Sequence, residues 1–303
     1  MKLGLGLPHY ATEASPQNVL TFAQKAEELG YDSVWALERL LRPTRPANAP
    51  WEGFEMPEYY GTVYDPLQTL MYVAANTKSI RLGTSVIDAL FHSPVMLGRQ
   101  LMTLDHFSGG RLDVGIGQGW SLDEFVASNV PFKRRGAGFE EFLAALQAVW
   151  GPDPVSFKGR FYTIPESNIG PKPVQPGGPP LLVGALQTGT VAVARAGRLG
   201  LGLHPMPFEW GDFEEQLRVY RDNYPADQPP ARIVVRVNHA VTEEPVDEHD
   251  RPPLSGSIDQ VARDLQRVAD LGIEEVMWDL TLAQVPLDTQ LRLMEPLLDA
   301  RPA

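Results

Sequence analysis

Three short stretches carry residue types that could do chemistry together. RLDVGIGQGWS, residues 111–121, reads as a β-strand in which Leu112, Val114 and Ile116 alternate with glycine-lightened positions. Its exit, Gly117, Gln118, Gly119 and Trp120, would offer bare main chain and one aromatic edge to a flat ring system lying close against it. The plain alternative is a strand thinned by glycine inside a crowded barrel core. The run is not a dinucleotide fingerprint, which needs its third glycine at the start of a helix on the first βα turn; here Trp120 and Ser121 follow, midway along the chain. In GALQTGT, residues 184–190, a strand end passes into a helix start. The free amides and dipole at Gly184, Ala185, Leu186, Gln187 and Thr188 would hold a phosphate, unless the turn is an ordinary N-cap. A phosphate-bearing planar cofactor would use both stretches. The third is Glu38, which follows Val34, Trp35, Ala36 and Leu37 with no turn residue between and so stands at the lip of a strand. It would face the mouth of the barrel, or else pair with Arg39 or Arg42.

Positioning these groups requires elements, and the chain supplies them in alternation. Strands are read at 3–8, 32–38, 80–86, 111–117, 181–184, 199–205, 232–241 and 274–280. Helices follow each: Ser15-Pro16 opens one that Gly30 stops, Asp65-Pro66 and Ser93-Pro94 open the next two, and Asp123 to Trp150 is mostly helical. Thr188–Arg198, FEEQLRVYRDNY, Ser255–Leu271 and Thr289–Leu298 complete the series. Eight such units predict a single (β/α)8 TIM barrel over residues 1–303, with SFKGRFYTI and a proline-rich return forming an insertion segment between strands four and five. A doubly wound open sheet is the other arrangement, because counting units does not prove closure.

Composition bounds the function. At 43% hydrophobic and 21% charged residues the chain is globular, and a net charge of −12 argues against nucleic acid or an anionic membrane as partner. With no cysteine there is no disulfide, thiolate nucleophile or zinc–thiolate site. No apolar run reaches the roughly 18 residues of a membrane span, so a cytoplasmic protein acting on a small-molecule substrate is expected, with self-association left open. Strand ends also carry His9, Ser85 with Asp88, Asp123, His204, His239 and Asp279. The six histidines show no His-x-His pair, so a metal hydrolase is disfavoured; strand four delivers Trp120 instead of an acid, which disfavours a retaining glycosidase.

The runs AEELGYDSVWALERL, DPLQTLMYVAANTKSIRLGTSV, SPVMLGRQLMTLDHFSGGRLDVGIGQGWSLDEF and VPFKRRGAGFEEFLAALQAVWG together resemble the luciferase-like monooxygenase superfamily, and within it the branch using the deazaflavin coenzyme F420. The resemblance covers most of residues 1–165 and continues more weakly to about 203. It implies a (β/α)8 fold and an F420-dependent oxidoreductase, with an FMN-dependent monooxygenase as alternative and a cofactor-poor binding relative as a third reading. It places the ring against Ser85, Val86 and Gly117 to Trp120, with polar cofactor contacts at Asp88 and Asp123, the phosphate at Gly184 to Thr188, and Glu38 beside the reacting ring. It further implies a non-prolyl cis peptide at Ser85-Val86. Sugar-phosphate dehydrogenases of the branch carry His after the acid and Glu at the glycine-strand exit; Arg39 and Trp120 stand there in this chain, which implies a different substrate.

The segment Arg39–Tyr64, rich in proline and carrying Trp51, Phe54, Tyr59, Tyr60 and Tyr64, is too apolar for a linker and is expected to act as a lid. Hydrogen exchange should then slow in this segment when cofactor and substrate are added. Unchanged exchange would identify a permanently packed flap.

Overall fold

The computed structural model describes residues 1–47, 55–186, 190–249 and 251–302. In chain order, β1 (Lys2–Gly6), α1 (Pro16–Leu29), β2 (Ser33–Ala36), α2 (Pro66–Asn76), β3 (Arg81–Asp88), α3 (Pro94–Ser108) and β4 (Leu112–Gly117) form the first half. After α4 (Leu122–Ala127) and α5 (Ala137–Trp150) comes a hairpin, β5 (Val155–Lys158) and β6 (Thr163–Ser167). The alternation resumes with β7 (Leu181–Ala185), α6 (Thr190–Arg198), β8 (Gly202–Pro205), α7 (Trp210–Asn223), β9 (Val234–Val237), α8 (Ile258–Asp270), β10 (Glu275–Trp278) and α9 (Leu287–Asp299). The eight long-sheet strands run parallel in the order β8-β7-β4-β3-β2-β1-β10-β9, and β5 pairs only with β6, antiparallel. A parallel bridge between Leu203 and Ile233, with the Leu203 amide 3.1 Å from the Arg232 carbonyl, joins the two edges. The sheet is therefore a (β/α)8 TIM barrel.

Local chemistry sets the helix ends. Ser15 accepts the Asn18 amide at 3.1 Å, Pro16 occupies the first turn, and Gly30 takes the left-handed conformation (φ 90°) that closes α1. A capping box between Ser257 and Gln260 starts α8. Two boundaries differ from the sequence reading. The helix expected from Asp123 to Trp150 is split into α4 and α5, because Pro131 and the positive φ of Gly136 (81°) interrupt it. The strand expected at 232–241 is only Val234–Val237; Asn238 turns its side chain to Arg236 and the chain leaves the sheet.

Side chains fill the barrel axis in three layers. At the amino end, Asp113 accepts both Arg81 (2.8 and 2.7 Å) and Arg232 (2.6 Å), while Glu275 accepts Arg232 and Ser33. Above this lies an apolar layer of Trp35, Leu182, Val234 and Met277. Trp35 dominates it, and its indole N–H reaches Ser33 Oγ at 2.7 Å. A Cβ on Gly83 would lie 2.1 Å from that ring, and one on Gly4 would lie 2.9 Å from its nitrogen, so the neighbouring strands need glycine here. The third layer is polar and faces the carboxyl ends of the strands. Outside the sheet, helices pack on it through the large core that contains Leu3, Leu5, Val114 and Ile116.

Gly83→Ala should destabilise the protein by about 1–3 kcal/mol, the usual cost of overpacking, because Trp35 is walled in and cannot withdraw. A urea midpoint equal to that of the parent would show that the indole has room to move.

Candidate functional site

The carboxyl end of the barrel opens into a cavity of about 540 Å3, a size typical of small-molecule sites. Its walls come from the ends of β2, β3, β4, β7, β8 and β9 and from the loop segment at Tyr60.

The β3 wall is irregular. Its register with β4 shifts between Thr84 and Ile87, and the Ser85-Val86 peptide is cis, as the resemblance implied. The Val86 side chain occupies space that side chains on β4 and β7 would claim: a Cβ on Gly117 would lie 2.8 Å from it, and one on Gly184 3.0 Å. A Cβ on Gly115 would lie 2.0 Å from the Thr84 carbonyl oxygen. The glycines of the GIGQGW run thus make room first for the β3 bulge. Gly117, Gln118, Gly119 and Trp120 all line the cavity, but Gly115 does not.

Ser85 is fixed from two sides. Its hydroxyl lies 2.7 Å from His204 Nε2, and its carbonyl accepts Arg236. His204 Nδ1 donates to the Val234 carbonyl at 2.6 Å, which leaves Nε2 as acceptor of the Ser85 proton. Burial, reinforced by Arg236, pushes His204 down to about 3, so the imidazole is neutral. The ring stacks on Trp35 at 5.2 Å, so the apolar layer carries the polar one. Arg236 continues to Asp279 at 3.0 Å, whose other oxygen accepts Tyr10 at 2.5 Å.

Glu38 lies beside this bulge, one residue beyond Leu37, with its amide 3.3 Å from the Val86 carbonyl. One carboxylate oxygen accepts the Asp88 amide and the other faces His92 Nε2, both at 2.8 Å. It pairs with neither arginine considered for it. Arg39 goes instead to the buried Glu124 at 2.6 Å, and its guanidinium lies 4.9 Å from the Trp120 ring centre and 5.3 Å from that of Tyr60. Arg42 donates to the Met56 and Pro57 carbonyls. Asp88 accepts the Gly119 amide at 3.0 Å. Burial, with Glu38 and Glu124 nearby and Arg39 opposing, raises its carboxyl to about 7. Arg135 also lines the cavity, and its Nε is buried without a partner.

The model for luciferase-like monooxygenases matches residues 3–251. The chain belongs to this family. An uncharacterised protein of Mycobacterium tuberculosis is 38% identical over 169 residues, 55% of this chain and 60% of that protein. An F420-dependent glucose-6-phosphate dehydrogenase of Amycolatopsis mediterranei is 32% identical over 206 residues, 66% of this chain and 56% of the dehydrogenase. The chain thus aligns with little more than half the length of these curated relatives. Among solved structures, the monooxygenase RslO1 of Streptomyces bottropensis superposes with a TM-score of 0.81 at 23% identity, covering 99% of this chain and 98% of that one.

Of the residues singled out from the sequence of this luciferase-like protein, Glu38, Ser85, Val86, Asp88, Gly117 to Trp120 and Gly184 to Leu186 meet around one cavity. Gln187 and Thr188 lie outside the described residues. Asp123 is placed elsewhere: its carboxylate accepts the Ala47 amide at 2.8 Å and is not in the cavity lining, because it lies in the first turn of α4 facing the loop. His9 is buried in the wall between the Leu7 and Leu37 main chains, where burial lowers its pKa. Sequence reasoning did not single out Arg236, Arg135, His92 or Glu124. Arg236 had a signal, a charge at an inward position of a valine strand; the others sit on turns and short helices that join the site only through folding.

The raised carboxyl of Asp88 gives a pH-dependent prediction. A folded-state value above the unfolded one means stability is fully present at pH below about 4 and is lost as pH rises through about 7. Asp88→Asn keeps the acceptor for Gly119 and should raise the melting temperature at pH 8 more than at pH 5. An equal change at both would show that Asp88 ionises normally.

Proposed function

We propose that this luciferase-like protein is an oxidoreductase that uses coenzyme F420 to move hydride to or from a small organic substrate held in the cavity. The observation that carries this reading is the placement of Glu38: a buried carboxylate in the cavity wall, beside Val86 and tied through Asp88 to the bare main chain of Gly117 to Gly119. The residues present fit a flat, partly polar ring. Glycine and valine give it a smooth face, Trp120 an aromatic edge, and the unpartnered Nε of Arg135 a donor for an acceptor on the cofactor.

A bound deazaflavin would supply the hydride chemistry, which carbon in place of the flavin N5 confines to two-electron transfer. The chain's own groups do the rest. Glu38, held on both oxygens, gives or takes the proton that accompanies hydride. Gly184 to Leu186 lead toward α6, and a phosphate group of the cofactor would rest at that end of the cavity. Arg39, engaged by Glu124 and stacked on Trp120, closes the side where sugar-phosphate dehydrogenases of the branch carry His, which favours a substrate without a sugar phosphate. The described end of the loop is tied to the exit of β1, where Tyr10 bridges Val63 and the Tyr64 amide reaches the His9 carbonyl at 2.9 Å, while Trp51 and Phe54 lie outside the described residues.

The second reading, an FMN-dependent monooxygenase, rests on the family description itself. Titrating purified protein with F420 and FMN separately distinguishes the two; tight FMN binding with no F420 binding would replace the first reading by the second. With F420 bound, Glu38→Gln should leave cofactor affinity within a few-fold and slow single-turnover hydride transfer by about 10²- to 10⁴-fold. Transfer at the parent rate would remove Glu38 from the chemistry.

A further inference from the structure

Hydride transfer moves a proton as well, and a substrate-filled cavity leaves little water to carry it. The other polar groups of the lining lack a side-chain path to solvent: Asp88, though raised to about 7, is buried and turned to the Gly119 amide. His204 is neutral and deep in the barrel, with both ring nitrogens occupied. Arg39 and Arg236 end on the buried acids Glu124 and Asp279. Tyr60 is held protonated by burial. Glu38 differs among the described lining residues: its hydrogen bond leads out through the wall to an imidazole that reaches the surface.

That side chain is His92, in the turn between the end of β3 and α3. It is not part of the cavity lining, and its side chain is 22% exposed, against 5% for Glu38. The 2.8 Å contact between its Nε2 and a Glu38 oxygen therefore joins solvent to the cavity in one step. The Asp88 amide, on the second oxygen, keeps the carboxylate turned so that this contact persists. We propose that His92 and Glu38 form a two-member proton conduit through the barrel wall, serving the hydride chemistry inside. This rests on the F420 or flavin reading given above. As hydride arrives on the substrate carbon with its electron pair, the Glu38 carboxylate takes the Nε2 proton of the His92 imidazolium and passes a proton to the adjoining heteroatom. Water then returns a proton to the His92 imidazole. The reverse sequence exports a proton when the substrate is oxidised. His92 is a positioning and relay residue, since it touches neither ring nor substrate.

The charges around His92 support this direction of supply. Glu38 from the end of β2, Asp65 from the N-cap of α2 and Asp88 from the end of β3 all face it, and all are acids. Burial works against the imidazolium, but the hydrogen bond and charge of Glu38, then Asp65 and Asp88, outweigh it and raise its pKa above the ordinary value. The acids around it thus favour the imidazolium, the form that can donate.

The test has two arms. In the protein without cofactor, the imidazole resonances of His92 followed against pH should titrate above an ordinary histidine and fall by about one pH unit or more in Glu38→Gln, as expected when a hydrogen-bonded carboxylate is lost. With F420 or FMN bound, a chemical reductant and an indicator dye in weak buffer report proton uptake. Uptake should slow at least tenfold in His92→Gln, whose melting temperature shows that it is folded, and added imidazole should restore it in His92→Ala. Parent-rate uptake in His92→Gln with normal cofactor binding overturns the conduit and leaves the functional reading standing, as does a His92 titration indifferent to Glu38. If the parent binds neither cofactor, the functional reading fails and the conduit falls with it.

Discussion

The site depends on how the axis of the barrel is filled. Eight parallel strands leave a central space that side chains must occupy to native density, and here one indole does most of it. Trp35 fits only because Gly4 and Gly83 on the flanking strands withdraw, and it is seated from below by Ser33 and the buried ion-pair layer of Asp113, Arg232 and Glu275. On its upper face lies His204, and on His204 the Ser85 hydroxyl. The floor of the cavity is thus a stack resting on the core, so the wall at Ser85 and Val86 inherits the rigidity of the barrel.

The same exchange of volume recurs at the β3 and β4 boundary. Val86 bulges toward positions that Gly115, Gly117 and Gly184 leave open, and three strands are thereby shaped around one side chain. A larger residue at any of these glycines would displace Val86 into the cavity or push the strands apart. The glycine run is a packing device and a cavity wall at once, which reconciles the two readings its sequence allowed.

Charge is arranged with equal economy of space. Five acids and arginines crowd one rim: Glu38, Asp88 and Glu124 with Arg39 and Arg135. Each carboxylate has its own partners. Glu124 takes Arg39 and the Leu40 amide, Glu38 takes His92 and the Asp88 amide, and Asp88 takes the Gly119 amide. Because Arg39 neutralises Glu124, Glu38 faces the cavity without a permanent cation bound to it, and the histidine that does bind it can change its charge. A permanent ion pair would have fixed that carboxylate; an imidazole leaves it able to exchange a proton.

What the sequence by itself determined was whatever local chemistry encodes. Ser15-Pro16, Asp65-Pro66 and Ser93-Pro94 start helices because proline suits a first turn; Gly30 and Gly109 end them because only glycine enters the left-handed region cheaply. Alternation of strand and helix fixed the unit count, and hence Glu38, Asp88 and Trp120 at strand exits. What only the tertiary structure decided was partnership. Nothing in the spacing of residues 38, 92 and 124 says that Glu38 takes His92 while Arg39 crosses to Glu124, since those contacts span 54 and 85 positions. Nor does the glycine run reveal that Val86 fills its gaps, or Asp123 that its carboxylate turns outward to Ala47. Such contacts follow from barrel closure and side-chain volume, which act between strands and leave no period along the chain.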